Sequence, residues 1–75
     1  MQITIHGAEF GTAHLAVQHT YAAGYGEVIA VAGKYLVVEP AEAHRLAALG
    51  VSFAYLIDHQ MPDGSYRLLS VPVND

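Results

Sequence analysis

Hydrophobic and polar positions alternate from the first residues onward. Gln2 to His6 (Q-I-T-I-H) puts Ile3 and Ile5 on one side of an extended segment, which predicts a short strand, and Gly7 and Gly11 then predict a loop. Thr12 to Ala23 (T-A-H-L-A-V-Q-H-T-Y-A-A) begins on a residue that can cap a helix and stops at Gly24, so it reads as a helix. Leu15, Val17, His19 and Tyr21 also recur at strand period. That second reading supports an alternative architecture, a mostly-β sheet with a single helix at 40–49.

Glu27 to Ala32 and Lys34 to Glu39 flank Gly33 and are rich in Val, Ile, Leu and Tyr, which predicts a hairpin. A type II′ turn on Gly33-Lys34 and a turn centred on Ala32-Gly33 both fit. Val28 to Val31 and Tyr35 to Val38 are apolar at odd and even positions alike, as interior strands covered on both faces are. Pro40 at a first helical position opens P-A-E-A-H-R-L-A-A-L, which Gly50 closes. Ala43, Leu46, Ala47 and Leu49 or Gly50 follow the i, i+3, i+4, i+7 spacing of one stripe, with Glu42, His44 and Arg45 largely opposite.

Val51 to His59 alternates again, with Val51, Phe53, Tyr55 and Ile57 on one face. Met61-Pro62-Asp63-Gly64-Ser65 has the residues of a three-residue bulged hairpin loop with Gly64 in the left-handed region. That loop pairs Ile57 with Leu69, Tyr55 with Val71 and Phe53 with Val73, so both apolar rows share a side. This row is expected to pack with Leu46 and Leu49 in the main core. The order is β-α-β-β-α-β-β, an α+β domain with an antiparallel or mixed single-layer sheet of about five strands and two helices. Its first six elements follow the ferredoxin-like, split βαβ order.

A chain of 75 residues holds one domain, 1–75, at the size where folding buries the smallest fraction of surface. With no Cys it has no disulfide to compensate, and 53% hydrophobic against 13% charged residues is the profile of a compact, adhesive chain. Net charge −4, with Lys34, Arg45 and Arg67 as the basic side chains, leaves no cluster to neutralise phosphates, so nucleic acid is not an expected partner. No apolar run reaches the length of a membrane span, and Met1 to His6 lacks the pattern of a signal peptide, so the expected location is cytoplasmic.

Five histidines, His6, His14, His19, His44 and His59, are the candidates for a metal or ligand site assembled by the fold. His14 and His19 are five apart, which brings them together on neither a helix nor a strand. Asp58-His59 offers an acid beside an imidazole, but strand neighbours point to opposite faces. Ser52, Ser65 and Ser70 lie in no nucleophile elbow, and Gly24-Tyr25-Gly26 lacks the rest of a phosphate loop. No catalytic residue and no cofactor is expected.

Opposite the core row, the terminal hairpin collects Leu56, Tyr66 and Leu68 among small polar residues and Pro72. This composition is intermediate between a dry core and a solvated face, as interfaces are. The expected function is a non-catalytic self-association domain, a two-fold dimer with Leu56, Tyr66 and Leu68 buried across it. Because Pro72 cannot donate to a ladder, the last strand is expected at a sheet edge and the partner to meet the face rather than extend that edge. Coverage of that face by the Thr12 to Ala23 helix is the competing expectation, and a histidine-based metal- or ligand-binding protein is the alternative function.

Overall fold

The computed structural model describes residues 3–74. Its elements are β1 (Ala8–Phe10), α1 (Ala13–Ala23), β2 (Glu27–Val31), β3 (Lys34–Val38), α2 (Pro40–Ala48), β4 (Phe53–Gln60) and β5 (Tyr66–Val73). They form an α+β domain with two helices and a five-stranded antiparallel sheet in the order β1-β3-β2-β4-β5.

Two split βαβ units interlock. β1-α1-β2 closes around β3, and β3-α2-β4 closes around β2. Both crossovers step the same way along the sheet but start from antiparallel strands. Right-handed connections therefore place the two helices on opposite faces. On one face Ala16 of α1 packs with Val28 and Val37, and on the other Ala43 and Leu46 of α2 pack with Ile29, Leu36 and Val38. The ferredoxin-like element order is thus realised with β4 beside β2, and strands β2 and β3 are covered on both sides, as their continuous apolar runs require.

The helix signals at 12–24 prevail over strand period. Thr12 caps α1 by accepting from the Leu15 N–H at 3.2 Å, and Gly24, left-handed at φ 78°, donates its N–H to Thr20 O. In α2 Pro40 occupies the first turn, and left-handed Gly50 follows the Leu49 cap.

The first strand differs from its prediction. Gln2 lies outside the described residues, residues 3–6 join no ladder, and the strand forms at Ala8–Phe10, where the glycines suggested a loop. The alternation of Ile3 and Ile5 reports a buried face all the same, because both pack against the α2-side core. The backbone there is held by side chains instead of a strand: Arg45 donates to Thr4 O at 2.7 Å, and the His6 N–H donates to the Glu42 carboxylate at 2.8 Å.

The β2-β3 hairpin pairs Val31 with Lys34, so its turn is Ala32-Gly33, with φ 51° and 77°. Two positive φ values make a type I′ turn in place of the Gly33-Lys34 turn, because that geometry matches strand twist. An alanine held in the left-handed region carries a cost of about 1 kcal/mol. Ala32 is exposed, and Ala32→Asn, which creates the preferred Asn-Gly pair, is expected to stabilise the domain by roughly 0.5–1 kcal/mol in urea melts. An unchanged or lower midpoint would contradict the strain.

The β4-β5 loop has the predicted form. Gly64 sits at φ 90°, its N–H reaches Met61 O at 3.0 Å, and the Met61 N–H reaches Ser65 O at 2.7 Å. The register follows, pairing Ile57 with Leu69, Tyr55 with Val71 and Phe53 with Val73. Asp63 braces the loop by accepting from the Ser65 hydroxyl and N–H, and these bonds hold its carboxyl below the usual range.

Candidate functional site

The terminal hairpin outreaches the layers that flank it. At 1.5 Å per residue the nine-residue α2 is about 14 Å long, whereas eight-residue strands run about 27 Å. On the α2 side Phe53 is buried and Tyr55 and Val73 pack against the core. The row then leaves the core, with Ile57 49%, Leu69 40% and Val71 42% exposed, and Leu49 faces outward as well. The expectation that the whole row and Leu49 join the main core is corrected: Ile57 and Leu69 lie beyond the reach of the short α2, Val71 stands beside Tyr55 on the edge strand, and Leu49, at the α2 cap, is turned by about 100° from the Ala43 and Leu46 stripe.

On the α1 side Leu56 is half-buried and packs against the cluster of Ala16, Val28 and Val37, whereas Tyr66 is 63% and Leu68 39% exposed. The helix packs its apolar side chains onto this face as far as Leu56. A groove of about 550 Å³ separates the two, lined by His14, Val17, Tyr21, Asp58, Tyr66 and Leu68 among others. It is bridged where the Tyr21 hydroxyl donates to the Asp58 carboxylate, a bond that holds the phenol above its usual range. This link joins residues 37 apart in the chain, and no periodicity or motif announces it.

Chemistry is sparse elsewhere. His14 contacts Gln18, the His19 ring lies 5.1 Å from that of Phe10, His6 precedes β1, His44 is exposed on α2, and His59 stands opposite Arg67. Among the described residues no three His, Cys, Asp or Glu side chains come together in a way that could hold a metal ion. Asp58 turns to Tyr21 and the α1 side, and strand alternation sends His59 to the other face, so they form no base-orienter pair. The Ser52 hydroxyl donates to Asn74 O and that of Ser65 to Asp63. Gly24 and Gly26 are the helix stop and the turn into β2.

One charged cluster is well built. Arg45 donates through Nε and an Nη to the two Glu42 oxygens at 2.7 and 2.8 Å. The Arg45 hydrogen bonds, then the His6 N–H, lower the Glu42 carboxyl from 4.5 to about 2. A folded-state value below the unfolded one contributes stability that is complete above about pH 4.5 and is lost as pH falls towards 2. Thermal melts between pH 6 and 2 are expected to fall more steeply for the wild type than for Glu42→Gln. Parallel profiles would remove Glu42 as the cause.

Among the described residues no helix is long and apolar enough to cross a membrane. No protein-family model matches the chain, and no curated protein or solved structure matches it significantly.

Proposed function

We propose that this chain is a non-catalytic interaction domain that self-associates through its terminal hairpin, with Tyr66 and Leu68 in the contact and Leu56 beneath them. The observation that carries the reading is the exposure of large apolar side chains on both faces of one projecting hairpin, Ile57, Leu69 and Val71 on one side and Tyr66 and Leu68 on the other. Grouped exposed apolar side chains of this kind are a feature of association sites on soluble domains. The projection contributes to a long molecule, 45 Å by 25 Å by 21 Å, so the hairpin is accessible to a partner.

Light scattering tests the proposal. The wild type is expected to have a mass above the monomer's 8.0 kDa, and Tyr66→Glu with Leu68→Glu is expected to return it to a folded monomer. A wild type that remains at 8.0 kDa at its highest soluble concentration contradicts self-association. A double variant with unchanged mass contradicts these two residues as the contact.

A further inference from the structure

Resting on that self-association reading, we infer that the partner is a second copy of this chain, joined antiparallel along the β5 edge so that two five-stranded sheets become one continuous sheet. The decisive geometry is in the backbone. Antiparallel ladders alternate hydrogen-bonded and non-hydrogen-bonded pairs. The Met61 N–H to Ser65 O bond makes that pair hydrogen-bonded, so in the observed register His59-Arg67, Ile57-Leu69, Tyr55-Val71 and Phe53-Val73 exchange the bonds between β4 and β5. The turn at Ala32-Gly33 gives the same phase independently. It makes Val31-Lys34 a bonded pair, which turns Val28 and Ala30 towards β4 and the odd residues of β4 towards β5.

The even residues of β5 therefore point their backbone groups away from the sheet. Tyr66, Leu68 and Ser70 present N–H and C=O to the outside, and Pro72 presents the one position where a missing N–H costs nothing. Long edge strands are ordinarily blunted by charge, brevity or a bulge. β5 runs eight residues with a single charge, Arg67, and its proline stands near the far end, clear of these three donors.

Self-pairing about Leu68 uses every one of these groups. Tyr66 then faces the second copy's Ser70 and Leu68 faces its own symmetry mate, so each copy's three N–H groups meet the other's three carbonyls. Arg67 falls directly opposite Leu69 and only diagonally to the other Arg67, so no like charges are directly opposed. The two exposed Leu68 side chains meet across the dyad. The isologous pairing also closes on itself, as two-fold assemblies do.

Ser70→Pro isolates the edge, because it deletes an outward N–H and no β4-β5 bond, and Ser70→Ala keeps the N–H. Light scattering is expected to give a wild-type and Ser70→Ala mass twice 8.0 kDa and a Ser70→Pro mass half of that, with circular dichroism unchanged. A folded Ser70→Pro that stays dimeric overturns the edge pairing while leaving self-association in place. A monomeric wild type overturns both and leaves a foreign extended peptide as the edge's occupant. Should Ser70→Pro fail to fold, amide exchange of the wild-type dimer decides: concentration-dependent protection of Tyr66, Leu68 and Ser70 supports the pairing, and its absence overturns it.

Discussion

Leu46→Ala and Phe53→Ala are each expected to cost about 2–5 kcal/mol, the range for deleting a large buried side chain from a core that cannot collapse around the gap. Leu46 is fully buried where α2 crosses the sheet, and it shares a cluster with Ile29, Val31, Leu36, Val38 and Phe53. Phe53 also stacks edge-on with Tyr55 at 5.3 Å, an interaction that truncation removes together with the buried area. For 75 residues a total stability of roughly 4–11 kcal/mol is typical, so either variant consumes a large share. Ile57→Ala and Leu69→Ala, in the same row but about half exposed, are expected to cost about 1 kcal/mol or less in the monomer. Urea melts of all four variants at one low protein concentration check this split. Equal losses at Leu46 and Ile57 would place the core boundary elsewhere on the strand.

The same row marks how far the sequence was legible. Residue types at turns and caps have local causes, so Thr12, Gly24, Pro40 and the Pro62-Asp63-Gly64 loop could be read directly, and the loop carried the register of eight strand pairs with it. The inward side of Phe53, Tyr55 and Ile57 followed from alternation. Where that side ceases to be covered did not, because alternation records which face is apolar and not how long the opposing helix is. The relative lengths of α2 and β4 were the available signal for the exposure of Ile57 and Leu69, whereas that of Val71 follows from its place on the edge strand. Ile3 and Ile5 show the converse: their pattern reported burial truthfully, but burial against side chains of α2 needs no ladder. The Tyr21-Asp58 bridge and the outward-facing β5 backbone depend on tertiary placement, and Pro72 alone hinted at the edge.

Gly26→Ala is expected to destabilise the domain by on the order of 3 kcal/mol, from two causes that act together. The residue sits at φ 106°, a conformation that costs an L side chain about 1–3 kcal/mol. A Cβ there would also lie 2.8 Å from Cγ1 of Val37, which is closer than packed carbons approach. Val37 belongs to the α1-side core with Ala16 and Val28, on a strand held between β1 and β2, so it has little room to move, and overpacking of such sites costs about 1–3 kcal/mol. Gly24→Ala supplies the comparison, since Gly24 is left-handed at φ 78° with open space around its would-be Cβ, and about 1 kcal/mol of backbone cost is expected there. The difference between the two variants measures the clash. A double-mutant cycle of Gly26→Ala with Val37→Ala is expected to return a favourable coupling, because the truncated valine makes the space that the new methyl group needs. If Gly26→Ala melts with Gly24→Ala and the cycle shows no coupling, the turn into β2 is not packed against Val37.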